Sequence, residues 1–405
     1  MSDQKRKRAH GEEINELTER TKVKVARLHT EASKDPPSQS LSVKGPHQFD
    51  KDFPYFREPR EVGSFSQDSN GHCHPDKRQL KYVVHYPNKS VNFNLRKGFK
   101  EMIKKDESKL EYIDDLLRWV ISEPRAFVSK PIVNEGSGHE IKLSSLSTDF
   151  VCWRGLLTKL LCSPYENRDG WMIAVILFRG TYFLCDFETE EKKKQLAKVT
   201  ERQEEMCYWG WKFEQYVTSD KEGGKPDTSR PVNNNEGFCS VVRSRLNNNS
   251  LVYGGEVDGI DNTIKHNNKY VEYKTTRQIE SRNQDINFRR FKLIKWWAQS
   301  YLVGISKIVC GYRDDQGIVH SLDEFETQKI PDEAKDLYIP WKPNVCFNFL
   351  HQFLNFVKSA ITTDNPKIVH ILEWSPGHDV VCRRTEDEKY QFLPDWFINW
   401  EGWDG

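Results

Sequence analysis

Apolar residues recur along the chain with the two spacings that distinguish helices from strands. Within Lys109–Ile121 they lie three or four positions apart, which predicts an amphipathic helix. Trp171–Phe178 and Thr181–Phe187 are apolar runs around the turn Arg179-Gly180, which predicts a buried hairpin. The same criteria predict helices at Glu190–Tyr208, Phe288–Leu302 and Val345–Ile361, and strands at Phe238–Leu246, Leu251–Ile260, Tyr270–Thr276 and Lys367–Trp374. This alternation indicates a mixed α/β or α+β core built around β-sheet.

The first 47 residues differ in composition from the rest of the chain. They are polar, contain Ser and Pro, and carry the basic run Lys5–Arg8, which is typical of a nuclear localisation signal and equally of a solvated tail. From residue 48 to residue 405 the apolar and aromatic density stays high without a clear linker, and Gly223–Asn235 reads as an exposed loop. We therefore expect a disordered leader, residues 1–47, and a single domain over residues 48–405. A length of 405 residues also fits two domains.

Charge and cysteine content exclude several classes of protein. The 61 Lys+Arg and 60 Asp+Glu give a net charge of +1, which argues against nucleic-acid binding through bulk positive charge but allows a local basic channel. No run reaches the roughly 18 consecutive apolar residues of a membrane helix, so we expect no membrane partner. The 9 cysteines include no C-x-x-C pair, which predicts reduced thiols rather than a disulfide framework or a zinc site.

Two short charged motifs lie on consecutive predicted strands. Because side chains alternate along a strand, Glu256 and Asp258 face one way, and Glu272 and Lys274 share one face of the next strand. Antiparallel pairing across the polar loop 261–268 would set all four charges side by side. Three crowded carboxylates either raise their own pKa values or require a cation. A hard divalent ion, Mg²⁺ or Mn²⁺, suits such an all-oxygen set of ligands.

Either motif alone is more typical of a solvated strand face. Both together, in adjacent strands rich in Val, Tyr and Gly, favour a functional site, and the Lys two residues after a Glu is the decisive detail. Metal-dependent phosphodiesterases of the PD-(D/E)xK kind use such a Lys to orient water or to stabilise charge on phosphate. Their carboxylates hold one or two metal ions.

Further motifs accompany these two along the chain. They are Trp153-Arg154-Gly155 with the apolar run after it, Gly210-Trp211-Lys212-Phe213-Glu214, Phe238–Val241, Arg243–Leu246 and Lys295–Ser300. Taken in order with Glu256-Val257-Asp258 and Glu272-Tyr273-Lys274, they resemble the decapping exoribonuclease (DXO-like) family. The resemblance runs from about residue 56 to residue 396 and leaves out the leader.

The resemblance implies a fold and an activity. The implied fold is α+β (mixed α/β), with two twisted mixed β-sheets surrounded by helices, a PD-(D/E)xK-like nuclease core, and the site in a cleft between the sheets. The implied protein is a metal-dependent hydrolase of RNA 5′ ends that serves RNA quality control. It would remove incomplete or NAD caps, release pyrophosphate from 5′-triphosphate RNA, and degrade 5′-monophosphate RNA in the 5′–3′ direction.

The resemblance also implies roles for residues whose motif is present. Two divalent ions, Mg²⁺ or Mn²⁺, would be held by Glu214, Glu256, Asp258, Glu272 and the backbone carbonyl of Tyr273. Catalytic contacts to the scissile phosphate and the attacking water would come from Lys274 and Gln299. Substrate would further contact Glu111, Trp153, Arg154, Gly155, Cys239 and Glu256. A family arginine expected soon after Gly63–Ser66 is absent, since Asn70-Gly71-His72 stands there, so recognition of the cap is implied less firmly than catalysis.

Several alternatives stay open. Arg154 also fits a structural ion pair, Cys239 a small buried side chain, and the basic residues between Arg289 and Lys295 either an RNA track or a solvated helix face. The protein could instead be a non-catalytic RNA-binding activator of a nuclear 5′-3′ exoribonuclease, or a DNA exonuclease on the same fold. The intact metal motifs favour the enzyme. We expect nuclear residence, with the cytoplasm as the alternative.

Overall fold

The computed structural model describes residues 39–106, 112–127 and 142–404. Lys5–Arg8 and Glu111 therefore lie outside the described residues. Within the described part, seventeen strands are present: β1 Gln39–Leu41, β2 Phe56–Gln67, β3 Cys73–His74, β4 Tyr82–Val83, β5 Ser90–Asn94, β6 Phe150–Trp153, β7 Trp171–Phe178, β8 Thr181–Phe187, β9 Thr218–Ser219, β10 Gly237–Leu246, β11 Asn249–Glu256, β12 Gly259–Ile260, β13 Tyr270–Arg277, β14 Lys307–Arg313, β15 Ile318–Glu326, β16 Val369–Trp374 and β17 Val380–Thr385.

The strands form two mixed sheets, as predicted. The larger has ten strands in the order β1-β17-β16-β7-β8-β6-β11-β10-β2-β3, and the smaller has seven in the order β5-β15-β14-β13-β12-β4-β9. Parallel pairs, such as β6 with β11 and β13 with β14, lie among antiparallel ones. The α-helices of the described residues are α1 Asp114–Ser122, α2 Arg154–Cys162, α3 Glu190–Leu196, α4 Glu201–Val217, α5 Arg282–Asn287, α6 Leu293–Leu302, α7 Pro343–Ala360 and α8 Asp395–Ile398.

Helices cover both faces of the larger sheet. On one face α2, α6 and α7 contribute Leu157, Leu293 and Phe349, all fully buried, to one apolar core. On the other face α1 and α8 contribute to a second core. The central strand β7 is buried at all eight positions because both of its faces are covered, which explains its uninterrupted apolar sequence. The predicted β7–β8 hairpin is confirmed.

Two predicted helices are interrupted. The segment Glu190–Tyr208 contains the whole of α3 and the start of α4, and Thr200 begins α4 with a capping box formed with Gln203. The segment Phe288–Leu302 opens with a π-helical turn, Phe288–Lys292, before α6 begins. A capping box and a π-turn depend on a few specific hydrogen bonds, so apolar spacing alone does not reveal either.

The predicted boundary at residue 47 lies inside the fold. Strand β1 pairs with β17, and Phe49 is fully buried with its ring 5.2 Å from that of Phe349 on α7. Residues 39–47 therefore belong to the folded domain. They were assigned to the leader because a three-residue edge strand carries too few apolar side chains to show in a polar segment.

The chain crosses from the larger sheet to the smaller one just after Glu256. Strand β11 ends there, and Gly259 and Ile260 pair with Val271 and Tyr270 of β13 in the other sheet. The prediction of one continuous strand over Leu251–Ile260 is therefore wrong, although its last two residues do pair antiparallel with β13. This crossing places Asp258 between the sheets, where a charged side chain can meet residues from both.

Asp261 fixes the loop that follows the crossing. It is 2% exposed, and its carboxylate accepts hydrogen bonds from Thr263 and from Lys307 Nζ at 2.9 Å. Burial alone would raise the pKa of Asp261, but these hydrogen bonds outweigh burial and lower it from 3.8 to about 2.

Replacing Asp261 with Asn is therefore expected to destabilise the protein by on the order of 2 kcal/mol at pH 7. A depressed carboxyl pKa stabilises the fold above the unfolded value, so the difference from wild type should shrink as the pH falls from about 4 toward 2. Urea unfolding of both proteins across this range measures the free energy of unfolding. A difference that stays constant down to pH 2 would contradict the assignment.

The described part of the chain contains no helix that is both long enough and apolar enough to cross a bilayer. All nine cysteines are free thiols, and seven of them are buried, as their scattered positions predicted.

Candidate active site

Three of the predicted metal ligands border one cavity at the crossing between the sheets. The cavity has a volume of about 360 Å³ and is lined by Glu214 from α4, Glu256 from the end of β11, and Asp258. Glu214 follows Phe213, which is buried against Tyr273 at a ring distance of 6.1 Å. This packing directs one face of α4 toward the end of β11, so motifs more than 40 residues apart contribute to one wall.

Glu272 is the most enclosed of the four carboxylates, with 1% of its surface exposed. Its Oε1 accepts hydrogen bonds from Lys274 Nζ and from Gln299 Nε2, the latter at 2.7 Å. Its Oε2 has no hydrogen-bond partner among the described residues and lies 3.9 Å from Arg154 Nη1. An unsatisfied buried carboxylate oxygen is costly, so this atom suits a cation.

Arg154 holds the two halves of the site together. Its Nη2 donates to the backbone carbonyl of Glu256 at 2.8 Å, and its Nη1 donates to that of Gln299 at 3.1 Å. The side chain is buried beside Glu272. Arg154 therefore links the end of β11 to α6. This geometry supports the structural alternative for Arg154, while the predicted contact with substrate stays a prediction.

Asp258 is fixed by the backbone of β13. The Tyr273 N–H donates to Asp258 Oδ2 at 2.6 Å. The predicted metal contact of Tyr273 concerns its carbonyl oxygen, which is the opposite end of the residue, and it stays a prediction. The tyrosine ring is buried, with its hydroxyl donating to the Val217 carbonyl at 3.3 Å, so the position of this backbone is well determined by packing.

Burial and neighbouring charges raise the pKa values of Glu214, Glu256 and Asp258. Burial and the charges of Asp258 and Glu256 hold the pKa of Glu214 well above its usual range. Burial and the charge of Glu272 do the same to the pKa of Asp258. Burial also raises the pKa of Glu256, whose carboxylate is accessible from the cavity but has protein around its other sides. Burial opposes the charge of Lys274, yet Glu272 and Asp258 keep its pKa above the ordinary value.

These residues fit a hard divalent cation, although they do not form a ready-made cage. Among the described residues, no three Asp, Glu, His or Cys side chains are grouped so that they could hold a metal ion as they stand. Glu272 faces Lys274 and Gln299, while Asp258 faces the backbone of Tyr273. The donors are nevertheless all oxygen, the nearby Lys274 does not cancel their mutual repulsion, and Glu272 Oε2 lacks a hydrogen-bond partner.

The predicted substrate residues lie on two sides of this site. Cys239 pairs with Glu256 across β10 and β11, and burial holds the pKa of its thiol well above the usual range, so it packs as a neutral side chain. Trp153 donates from Nε1 to the Tyr112 carbonyl at 2.9 Å. Gly155 lines a second cavity, of about 460 Å³, together with Gln299. Glu111 lies outside the described residues.

The polar segment Gly223–Asn235, predicted to be an exposed loop, lines the first cavity. Lys225 and Arg230 belong to this loop, and Lys81 directly precedes β4. All three line the same cavity as Glu214, Glu256 and Asp258. Contacts between distant segments bring these three residues to the cavity, and nothing in the neighbouring sequence distinguishes them from other exposed basic residues. Lys81 is paired with Asp220 and Arg230 with Glu236. Arg289 is paired with Asp285 and Asp336, which favours a structural role for that member of the basic helix series.

The fold and the site together define a class of protein. Two mixed sheets joined at an E-x-D segment, with an E-x-K strand beside it, form the core of a metal-dependent PD-(D/E)xK nuclease. The chain belongs to the family described as RAI1 like PD-(D/E)XK nuclease, whose model matches residues 57–398. The predicted family and fold class are thereby confirmed.

Individual relatives agree with this assignment. The chain is 39% identical over 355 residues to the decapping and exoribonuclease protein of Xenopus laevis, covering 86% of this chain and 87% of that protein. It is 38% identical over 368 residues to the human decapping and exoribonuclease protein, covering 89% and 90%. The crystal structure of Candida albicans Rai1 in complex with pU5-Mn²⁺ shares the fold, with a TM-score of 0.76 at 23% identity, over 90% of this chain and 99% of that one.

Proposed function

We propose that this protein is a metal-dependent hydrolase of RNA 5′ ends. Its substrates would be incompletely capped, NAD-capped, 5′-triphosphate and 5′-monophosphate RNA, the last degraded in the 5′–3′ direction. The observation that carries this proposal is the buried Glu272, which meets both Lys274 and Gln299 and has one oxygen without a partner. The names of the relatives and the RNA–manganese complex of the Candida albicans protein support the choice of RNA over DNA.

In this proposal Glu214, Glu256, Asp258 and Glu272 hold two ions, Mg²⁺ or Mn²⁺, with the Tyr273 carbonyl. When bound, such ions lower the pKa of water and neutralise charge on the phosphate. The same attack of water on phosphorus serves all of the proposed substrates, so one site is sufficient for them.

Side chains of this chain supply the remaining functions. Lys274 Nζ and Gln299 Nε2 converge on a single oxygen of Glu272, so both donors are within reach of one anionic group. They can bind a phosphate oxygen and orient water beside it. Arg154 donates to backbone carbonyls of both β11 and α6, and so fixes the position of Glu256 relative to Gln299.

The test is an assay of the purified chain on RNAs of one sequence with 5′-GpppN, methylated-cap, NAD, triphosphate and monophosphate ends. We expect hydrolysis of several of these in Mg²⁺ or Mn²⁺, with matched DNA resisting. Failure on every RNA, with RNA binding retained and a 5′-3′ exoribonuclease recovered in a pull-down, would favour the non-catalytic activator instead. Equal rates on RNA and DNA would favour the DNA exonuclease.

We also propose nuclear residence and association with a nuclear 5′-3′ exoribonuclease. The support for the first is the basic run Lys5–Arg8. A tagged chain without these four residues should lose its nuclear concentration, and unchanged concentration would contradict the role of this run.

A further inference from the structure

Gln67 belongs to none of the sequence motifs and lies near Glu256, one of the predicted metal ligands. Gln67 is the last residue of β2 and pairs with Gly237 on β10, while Cys239 pairs with Glu256 on β11. Paired residues of antiparallel strands share a face, and every second residue returns to that face. The side chains of Gln67, Cys239 and Glu256 therefore lie on one face of the larger sheet, with Gly237 between them.

Gly237 leaves a gap that two oxygens border. A Cβ atom at this position would lie 3.2 Å from Glu256 Oε1 and 3.3 Å from Gln67 Oε1. Both are tight contacts, so a larger residue would press on both side chains. Gly237 and Glu256 also line the cavity that contains Glu214 and Asp258, so the gap opens toward the carboxylate site.

Asp115 determines which end of the Gln67 amide faces this gap. Gln67 Nε2 donates to Asp115 Oδ2, and Asp115 is 9% exposed in the first turn of α1. Because this carboxylate oxygen accepts the hydrogen bond, the NH₂ end of Gln67 lies on the side of Asp115. The carbonyl oxygen of Gln67 consequently points toward Gly237 as an acceptor.

Two acceptors on either side of a gap require a donor from the ligand. On a nucleic acid, that donor is either the ribose 2′-hydroxyl or an amino or ring N–H group of a base. An enzyme that removes successive nucleotides of any sequence cannot depend on a donor whose position differs from base to base. The 2′-hydroxyl is present on every nucleotide of RNA and on none of DNA.

We propose that Gln67 is a specificity-determining residue that accepts a hydrogen bond from a ribose 2′-hydroxyl near the scissile phosphate, so that the site prefers RNA. This inference rests on the proposed function, which it deepens. A hydroxyl group has a single hydrogen, which Gln67 accepts, while Glu256 on the opposite side of the gap remains a proposed metal ligand.

The test uses the full chain and a pair of 5′-monophosphate oligonucleotides, all-ribose or with 2′-deoxyribose at the first two nucleotides. Wild type should hydrolyse the all-ribose substrate about 3- to 10-fold faster, the range for one hydrogen bond to a neutral group. Gln67→Leu should lose most of this ratio by slowing only on the all-ribose substrate. Gln391→Leu, which alters another half-buried amide far along the chain, should keep the ratio.

Two further variants test the same contact in case Gln67→Leu does not fold. Asp115→Asn keeps the size of the partner but lets the Gln67 amide turn over, so the ratio should fall partway. Gly237→Ala should lower the ratio by placing a methyl group in the gap. An unchanged ratio in all three variants, with thermal unfolding showing folded protein, overturns the inference. The inference is also overturned if the rate falls when guanosine is replaced with inosine but not when the 2′-hydroxyl is removed.

Binding separates this inference from the proposed function. Affinities for the same two oligonucleotides, measured by fluorescence anisotropy in EDTA, should show a ribose preference that Gln67→Leu removes. If that preference is found while no RNA is hydrolysed in Mg²⁺ or Mn²⁺, the proposed activity fails and the role of Gln67 stands. If RNA is hydrolysed with a 2′-hydroxyl preference that ignores Gln67, only the inference fails.

Discussion

Replacing Asp258 with Asn is expected to abolish hydrolysis of every RNA 5′ end while leaving the protein at least as stable as wild type. Asn keeps the oxygen that accepts from the Tyr273 N–H, so the crossing between the sheets should survive. Burial and the charge of Glu272 hold the pKa of Asp258 well above its usual range, which means that its charge is unfavourable in the fold. A neutral amide removes that repulsion.

The loss of rate should be large because the side chain is proposed to bind metal directly. Losing one well-placed electrostatic group in an active site costs on the order of 10²–10³-fold, and losing a metal ligand should cost at least as much. Single-turnover rates in Mg²⁺ and Mn²⁺, with thermal unfolding in EDTA, measure the two effects. Asp332→Asn, at an exposed ion pair with Lys335, is the matched control. Full activity in Asp258→Asn would remove Asp258 from the metal site.

Replacing Arg154 with Met is expected to destabilise the protein by about 3–5 kcal/mol, the usual cost of removing one partner from a buried charge. The substitution leaves the carbonyls of Glu256 and Gln299 without their donor and takes a cation away from Glu272. Met approximates the length of the aliphatic stem, so the loss reports hydrogen bonds and charge rather than a cavity.

Stability and substrate affinity together distinguish the two interpretations of Arg154. If Arg154 is a structural link, Arg154→Lys should be nearly as unstable as Arg154→Met, because a single ammonium cannot reach both carbonyls as the planar guanidinium does. Denaturant unfolding gives the free energy, and the Michaelis constant for 5′-monophosphate RNA reports substrate contact. Unchanged stability with a raised Michaelis constant would show that Arg154 serves the phosphate instead.

The sequence was sufficient to predict the fold class, and the structure brings Glu272, Lys274 and Gln299 of the predicted site together. The roles assigned to the site residues stay predictions. Glu272 and Lys274 share a strand face, as alternation requires, and Lys274 indeed bonds to Glu272. The β7–β8 hairpin also followed from its two apolar runs, whereas the two mixed sheets were implied by the family resemblance. The shared strand face and the hairpin depend on neighbours within a few residues, which a single sequence displays directly.

What remained hidden depends on contacts between distant segments. The chain leaves one sheet at Glu256 and enters the other at Gly259, and nothing local marks that change of sheet. The bonds of Arg154 to two backbone carbonyls are equally invisible, since carbonyls carry no sequence signal. Gln67 is the same case, because only β2–β10 pairing brings it to Gly237.

The most direct test of the account is the metal dependence of RNA 5′-end hydrolysis by the purified chain. After treatment with EDTA, wild type should cleave none of the RNAs, and added Mg²⁺ or Mn²⁺ should restore cleavage. Asp258→Asn should bind the same RNA and stay inactive at every metal concentration. Cleavage that continues in EDTA, or an Asp258→Asn protein that metal restores to the wild-type rate, would contradict a metal-dependent site built on these carboxylates.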